Sequence, residues 1–155
     1  MAKPDLPESL AVERDAIIAE VYAAWKGVSR GGAPSWNEVD SQDDYATPQE
    51  QLAARATDNE RSWEELIKVE RISVANDWNF MFLDGVAKRY YIAPLLIKSL
   101  KARDYDVVHW IESLKKLQHD LHPRDQITLR QLHCLNRATK WLTNIARWKL
   151  EHSRN

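Results

Sequence analysis

Between residues 127 and 148 apolar side chains recur every three or four positions, and this pattern limits the possible fold more than any other stretch. On a helix turning about 100° per residue, Ile127, Cys134, Leu135, Ala138, Trp141, Leu142, Ile145 and Trp148 share one side. Arg130, His133, Arg137, Lys140, Arg147 and Arg154 take the opposite arc, with Trp141 and Trp148 at the border. The spacing predicts a long amphipathic helix over 123–152.

The rest of the chain carries the same periodicity in shorter pieces. Residues 1–7 hold Pro4 and Pro7 and read as a loose lead-in to one domain over 8–152. Leu10, Ile17, Ile18, Val21, Trp25 and Val28 mark a first helix that starts at Glu8 or Ser9 and stops at Gly27 or Gly31–Gly32. Residues 29–47 read as loop. Thr47-Pro48-Gln49-Glu50 combines a cap, a first-turn proline and a capping-box acid, so a helix is expected over 48–57 with Leu52, Ala53 and Ala56 inward. Trp63, Leu66 and Ile67 continue the apolar series. Residues 78–83 fit a buried helix or a buried strand, with helix favoured, and Asp84-Gly85 ends it. Pro94 suits the first turn of a helix running to about 103. Asp104 or Asp106 caps another helix to about 121, and 122–125 is a turn.

Only four Gly and six Pro occur in 155 residues, which argues against a turn-rich β fold. Seven Trp supply large core side chains. The expectation is an all-α, or nearly all-α, bundle of five to seven helices. One cysteine excludes an internal disulfide and fits a reducing cytoplasm. The N-terminal residues lack the apolar core of a signal peptide, and no run approaches the ~20 apolar residues of a membrane span.

Charge is uneven along the chain. Residues 1–70 hold seven Lys and Arg against fifteen Asp and Glu, a net of −8, and residues 71–155 hold fifteen against eight, a net of +7. Either the halves neutralise each other within the domain, or the molecule has an acidic and a basic face.

The acidic charge peaks over 36–63. Trp36, Glu38, Asp40, Asp43, Asp44 and Tyr45 lie close together, followed by Arg55 and Asp58. Clustered carboxylates raise the idea of a hard cation, but counting from Asp40 an EF-hand loop would require Gly at position 45 and Glu at position 51. The structural reading is that these acids cap the 48–57 helix and pair with Arg55 or Arg61. The functional reading is a recognition surface with Trp36 and Tyr45 as aromatic anchors. His119 and His122 are three apart, without the partner motif a zinc site needs, and Cys134 falls on the apolar arc, where a thiol is inert. The basic arc of the last helix, Arg130, Arg137, Lys140 and Arg147, could hold phosphates while Trp141 and Trp148 stack bases. No glycine-rich phosphate loop or nucleophile elbow is present.

These pieces resemble a family of small bacterial proteins that carries only a domain-of-unknown-function label. The resemblance covers about 15–100. It rests on Glu38-Val39-Asp40, Asp43-Asp44-Tyr45, Ala53-Ala54-Arg55-Ala56-Thr57-Asp58, Trp63, Phe82-Leu83-Asp84 and Arg89-Tyr90-Tyr91-Ile92. The chain departs from the pattern at Ile92-Ala93-Pro94, where Leu-Pro-Ala is usual. It also departs at Gly85-Val86-Ala87, which stands in place of Pro-Glu-Gly. The resemblance implies a shared polar constellation that includes Arg89, and no activity or cofactor.

The resulting expectation is a cytoplasmic, non-catalytic protein whose partner is another protein. In its concrete form it is an inhibitor or immunity-type protein that covers a basic active site with the 36–63 segment. No catalytic residue, metal ligand, cofactor or membrane contact is assigned. The alternatives are a metal- or carboxylate-dependent enzyme using the same acids, and nucleic-acid binding by the last helix.

Overall fold

A computed structural model describes residues 5–73, 77–102, 108–120 and 126–153. Among them every regular element is helical: α1 (Glu8–Ala24), α2 (Trp36–Asp43), α3 (Pro48–Thr57), a 3₁₀ helix (Trp63–Lys68), α4 (Asp77–Met81), α5 (Gly85–Lys101), α6 (Val108–Asp120) and α7 (Leu129–Ser153). The all-α expectation holds. The caps expected at Asp104 or Asp106 and the turn at 122–125 lie outside the described residues.

The core is organised around α5. Ala87, Tyr90, Tyr91, Ile92, Ala93, Leu95, Leu96, Ile97 and Leu100 are all buried, so the helix is apolar on nearly every side and others surround it. It contacts α1, α7 and the 3₁₀ helix. The helix begins at Gly85 and not near Pro94, as the proline alone suggested. Asp84 both ends the preceding segment and caps α5, accepting the Ala87 N–H at 2.8 Å. Pro94 sits inside the helix, where it takes away the N–H that the Tyr90 carbonyl would accept.

Tryptophans tie the helices to one another through their indole N–H groups. Trp25 donates to the Arg89 carbonyl at 2.8 Å, Trp63 to the Trp25 carbonyl at 2.8 Å, and Trp141 to the Leu10 carbonyl at 2.9 Å. Each buried ring therefore brings a satisfied polar edge into the core. Gly27, at φ 75, turns the chain after α1.

Three further expectations change. Residues 36–43, read as loop, form α2, because Ser35 and Glu38 make a capping box before it. Leu52, Ala53 and Ala56 face outward, and α3 has no buried residue. It attaches to α2 through polar contacts, so its apolar spacing was a poor guide to its inner face. α7 starts at Leu129 instead of Pro123. Thr128 Oγ1 accepts the Gln131 N–H at 3.0 Å and Gln131 Oε1 accepts the Thr128 N–H at 3.1 Å, a second capping box that sets the start.

Candidate functional site

The 36–63 segment divides into a built-in part and an outward part. The built-in part completes the N-terminus of α2. The first N–H groups of a helix have no intrahelical acceptor. Here Trp36 N–H goes to the Tyr91 hydroxyl at 2.8 Å, Asn37 N–H to Asp58 Oδ2 at 2.8 Å, and Glu38 N–H to Ser35 Oγ at 3.2 Å. Glu38 Oε2 accepts the Ser35 N–H at 3.1 Å and lies 3.5 Å from Arg55 Nη1. Arg55 also donates to the Gly32 carbonyl at 2.9 Å, which fastens α3 to the loop before α2. The Asp58 side chain is wholly buried and pairs with Arg71 at 3.1 Å.

Trp36 belongs to this built-in part. It is 1% exposed, with its ring 5.4 Å from that of Tyr91. As an anchor for a partner it has no surface to offer. Glu38, Arg55 and Asp58 likewise spend their charge inside the protein. Beneath them lies a polar layer that spacing did not reveal. Tyr90 donates to Glu60 at 2.9 Å, and burial pushes the Tyr90 and Tyr91 phenols well above their ordinary range, reinforced at Tyr90 by Glu60.

The outward part is the other end of α2. Asp43 and Asp44 are exposed, and no side-chain hydrogen bond or ion pair holds either among the described residues. They do not cap α3. Thr47 does so, accepting the Glu50 N–H at 3.2 Å. Tyr45 follows at φ 57 with 96% of its surface exposed. It occupies the left-handed position of a Schellman turn: Tyr45 N–H bonds to the Gln42 carbonyl and Ala46 N–H to the Ser41 carbonyl, both at 3.1 Å. Asp40 is exposed and accepts from Asn79 Nδ2 at 3.0 Å, linking α2 to α4.

Arg89 is not part of this group. Its Nε donates to Gln131 on α7 at 3.1 Å, while Gln131 donates to the Ala24 carbonyl at 2.9 Å. Burial lowers the Arg89 pKa. Among the described residues, no three His, Cys, Asp or Glu side chains converge as metal ligands would. The carboxylates and Arg89 are thus spread over separate tasks and do not meet in one pocket.

The basic residues of α7 form the second surface. Arg130, His133, Arg137 and Lys140, with Asn136, Leu129, Cys134 and Glu20 of α1, line an open cleft of about 590 Å³. Arg130 grips Glu20 through two hydrogen bonds at 2.6 and 3.2 Å, and this bond holds the Glu20 carboxyl below its usual range. Arg147 is exposed further along the same helix. Neither tryptophan lies open beside this face. Trp141 is buried, and Trp148 stacks on His152 at 4.6 Å between centroids.

Fold and site define an all-α protein with an acidic helix end and a basic helix face. No helix among the described residues is long and apolar enough to cross a membrane. The chain belongs to a family of unknown function, DUF6714, whose model matches residues 13–142. No curated protein and no solved structure matches it. Membership of a family without an assigned function agrees with what the resemblance implied, and the family model reaches beyond residues 15–100.

Proposed function

We propose that this is a non-catalytic binding protein that presents Asp43, Asp44 and Tyr45 to a basic surface on another protein. The observation that carries this reading is a turn built against its own stability. A left-handed conformation costs an ordinary L-residue about 1–2 kcal/mol, and glycine would avoid that cost. The chain places an exposed tyrosine there. Acids at a helix C-terminus oppose the helix dipole, at about 0.3–1 kcal/mol each, and α2 ends in Asp43 and Asp44 with no basic residue in its last turn. The N-terminus of α3, which follows at Pro48, offsets part of that cost. Side chains kept against local stability point to a use outside the fold.

The chemistry suits a cationic partner. Two carboxylates and the carbonyl end of α2 sum to a local negative field that steers a basic surface and weakens with salt. Tyr45 adds a large amphipathic ring with few rotamers to freeze. Asp40 extends the acidic edge toward α4. An enzyme inhibitor that covers a basic active site is the concrete form this binding takes.

The experiment is partner recovery with the wild type and with a triple Asp43→Asn, Asp44→Asn, Tyr45→Gly variant. Loss of the partner from a folded variant is expected. Equal recovery by both proteins contradicts the reading.

A further inference from the structure

The face of α7 that lines the cleft holds an excess of cations for which the fold supplies few counter-charges. Arg130, His133, Arg137 and Lys140 follow one another at three-, four- and three-residue spacing, so they form one ridge, and Arg147 continues it. At about 1.5 Å per residue the ridge runs some 15 Å from Arg130 to Lys140 and about 25 Å to Arg147. His133, Arg137, Lys140 and Arg147 are all exposed. Glu20 is the one acid lining the cleft, and it is gripped by Arg130. Among the described residues no ion pair holds Arg137, Lys140 or Arg147. Like charges one turn apart repel on a helix surface, so this ridge also costs stability in the absence of an anion.

We infer that the cleft between α1 and α7 and the ridge beyond it bind a linear run of phosphates, the chemistry of a nucleic-acid backbone. The length of the ridge, with Arg137, Lys140 and Arg147 following one another along it, favours a chain over one small anion. A compact ligand would need only the cleft, and Arg147 lies beyond it. The contacts are to phosphate and not to bases. The tryptophans that could have stacked bases are taken up, Trp141 by the Leu10 carbonyl and Trp148 by His152. Binding is therefore indifferent to base sequence and strongly salt-dependent. This surface is separate from the Asp43–Tyr45 turn, and each proposal stands or falls without the other.

The test is fluorescence anisotropy of a labelled duplex oligonucleotide at low ionic strength, with unlabelled linear polyphosphate as competitor. The variant is Arg137→Glu with Lys140→Glu. The control, Lys68→Glu with Lys115→Glu, changes net charge equally at exposed sites on other helices. Wild type and control should bind alike. The ridge variant should lose affinity roughly tenfold or more, with a salt slope shallower by about 2, since two phosphate contacts are gone. Its melting temperature should hold or rise, because repulsion along the ridge is relieved. Displacement by polyphosphate is expected, since phosphates alone carry the contacts, and binding that excess polyphosphate fails to displace contradicts a ridge that reads only phosphate. Absence of binding by wild type at low salt overturns the proposal, as does equal loss in the ridge variant and the control.

Discussion

The wholly buried Asp58 carboxylate accepts the backbone N–H of Asn37 at 2.8 Å, so the last residue of one helix's turn closes the first turn of another. With Arg71 on its second oxygen, Asp58 binds α2, α3 and the segment after the 3₁₀ helix together. Removing it leaves the Asn37 N–H without an acceptor. Asp58→Ala is expected to cost about 1.5–3 kcal/mol, the range for a hydrogen bond to a charged group. Chemical denaturation measures this, and a change within error would mean that the contact is not made.

Tyr45→Gly should stabilise the protein. Relief of the left-handed tyrosine contributes about 1–2 kcal/mol, offset by about 0.4–1 kcal/mol for the greater freedom of glycine in the unfolded chain. Thermal melting of the two proteins checks it. A clear loss of stability would show that the Tyr45 ring packs on the fold.

Tyr90 and Tyr91 should keep their protons until the chain unfolds. Burial raises both phenols above the value of about 10 found in unfolded chains. A raised folded pKa contributes stability that is complete below the unfolded value and is lost as pH climbs past it. Above about pH 10, then, unfolding and the appearance of these two phenolates should coincide. Following phenolate absorbance and far-ultraviolet circular dichroism on the same samples tests this. Titration of all five tyrosines in a still-helical protein would contradict it.

Cys134 should be inert in the folded protein. It is 2% exposed, and burial pushes its thiol up to about 12, with Glu20 adding to the shift. A thiol-specific disulfide reagent at neutral pH should react only once denaturant is added. Fast stoichiometric reaction with native protein would place the thiol at the surface.

Much of the fold was legible in the sequence. The long apolar stripe of α7 and the Trp25 and Trp63 positions announced a helical core, because burial at helical spacing is a local signal. What spacing alone could not convey was the direction of polar side chains. Trp36 looked like an anchor beside acids, but the Ser35–Glu38 capping box turns it inward against Tyr91. Ser35-Trp36-Asn37-Glu38 and Thr128-Leu129-Arg130-Gln131 both carry the capping-box pattern, so those helix starts were open to detection. The Tyr90–Glu60 and Arg89–Gln131 bonds join residues 30 and 42 positions apart. No local pattern encodes such pairs. Composition marks Asp43, Asp44 and Tyr45 in the sequence, but the left-handed φ of Tyr45 is a property of the folded turn that no residue pattern encodes.

The central claim is that the turn after α2 gives up stability for binding. The direct measurement joins melting temperature and partner recovery in the Asp43→Asn, Asp44→Asn, Tyr45→Gly variant. The account predicts a protein that melts no lower than the wild type, and higher if the tyrosine strain dominates, yet fails to retain the partner. A variant that keeps the partner at wild-type levels contradicts it.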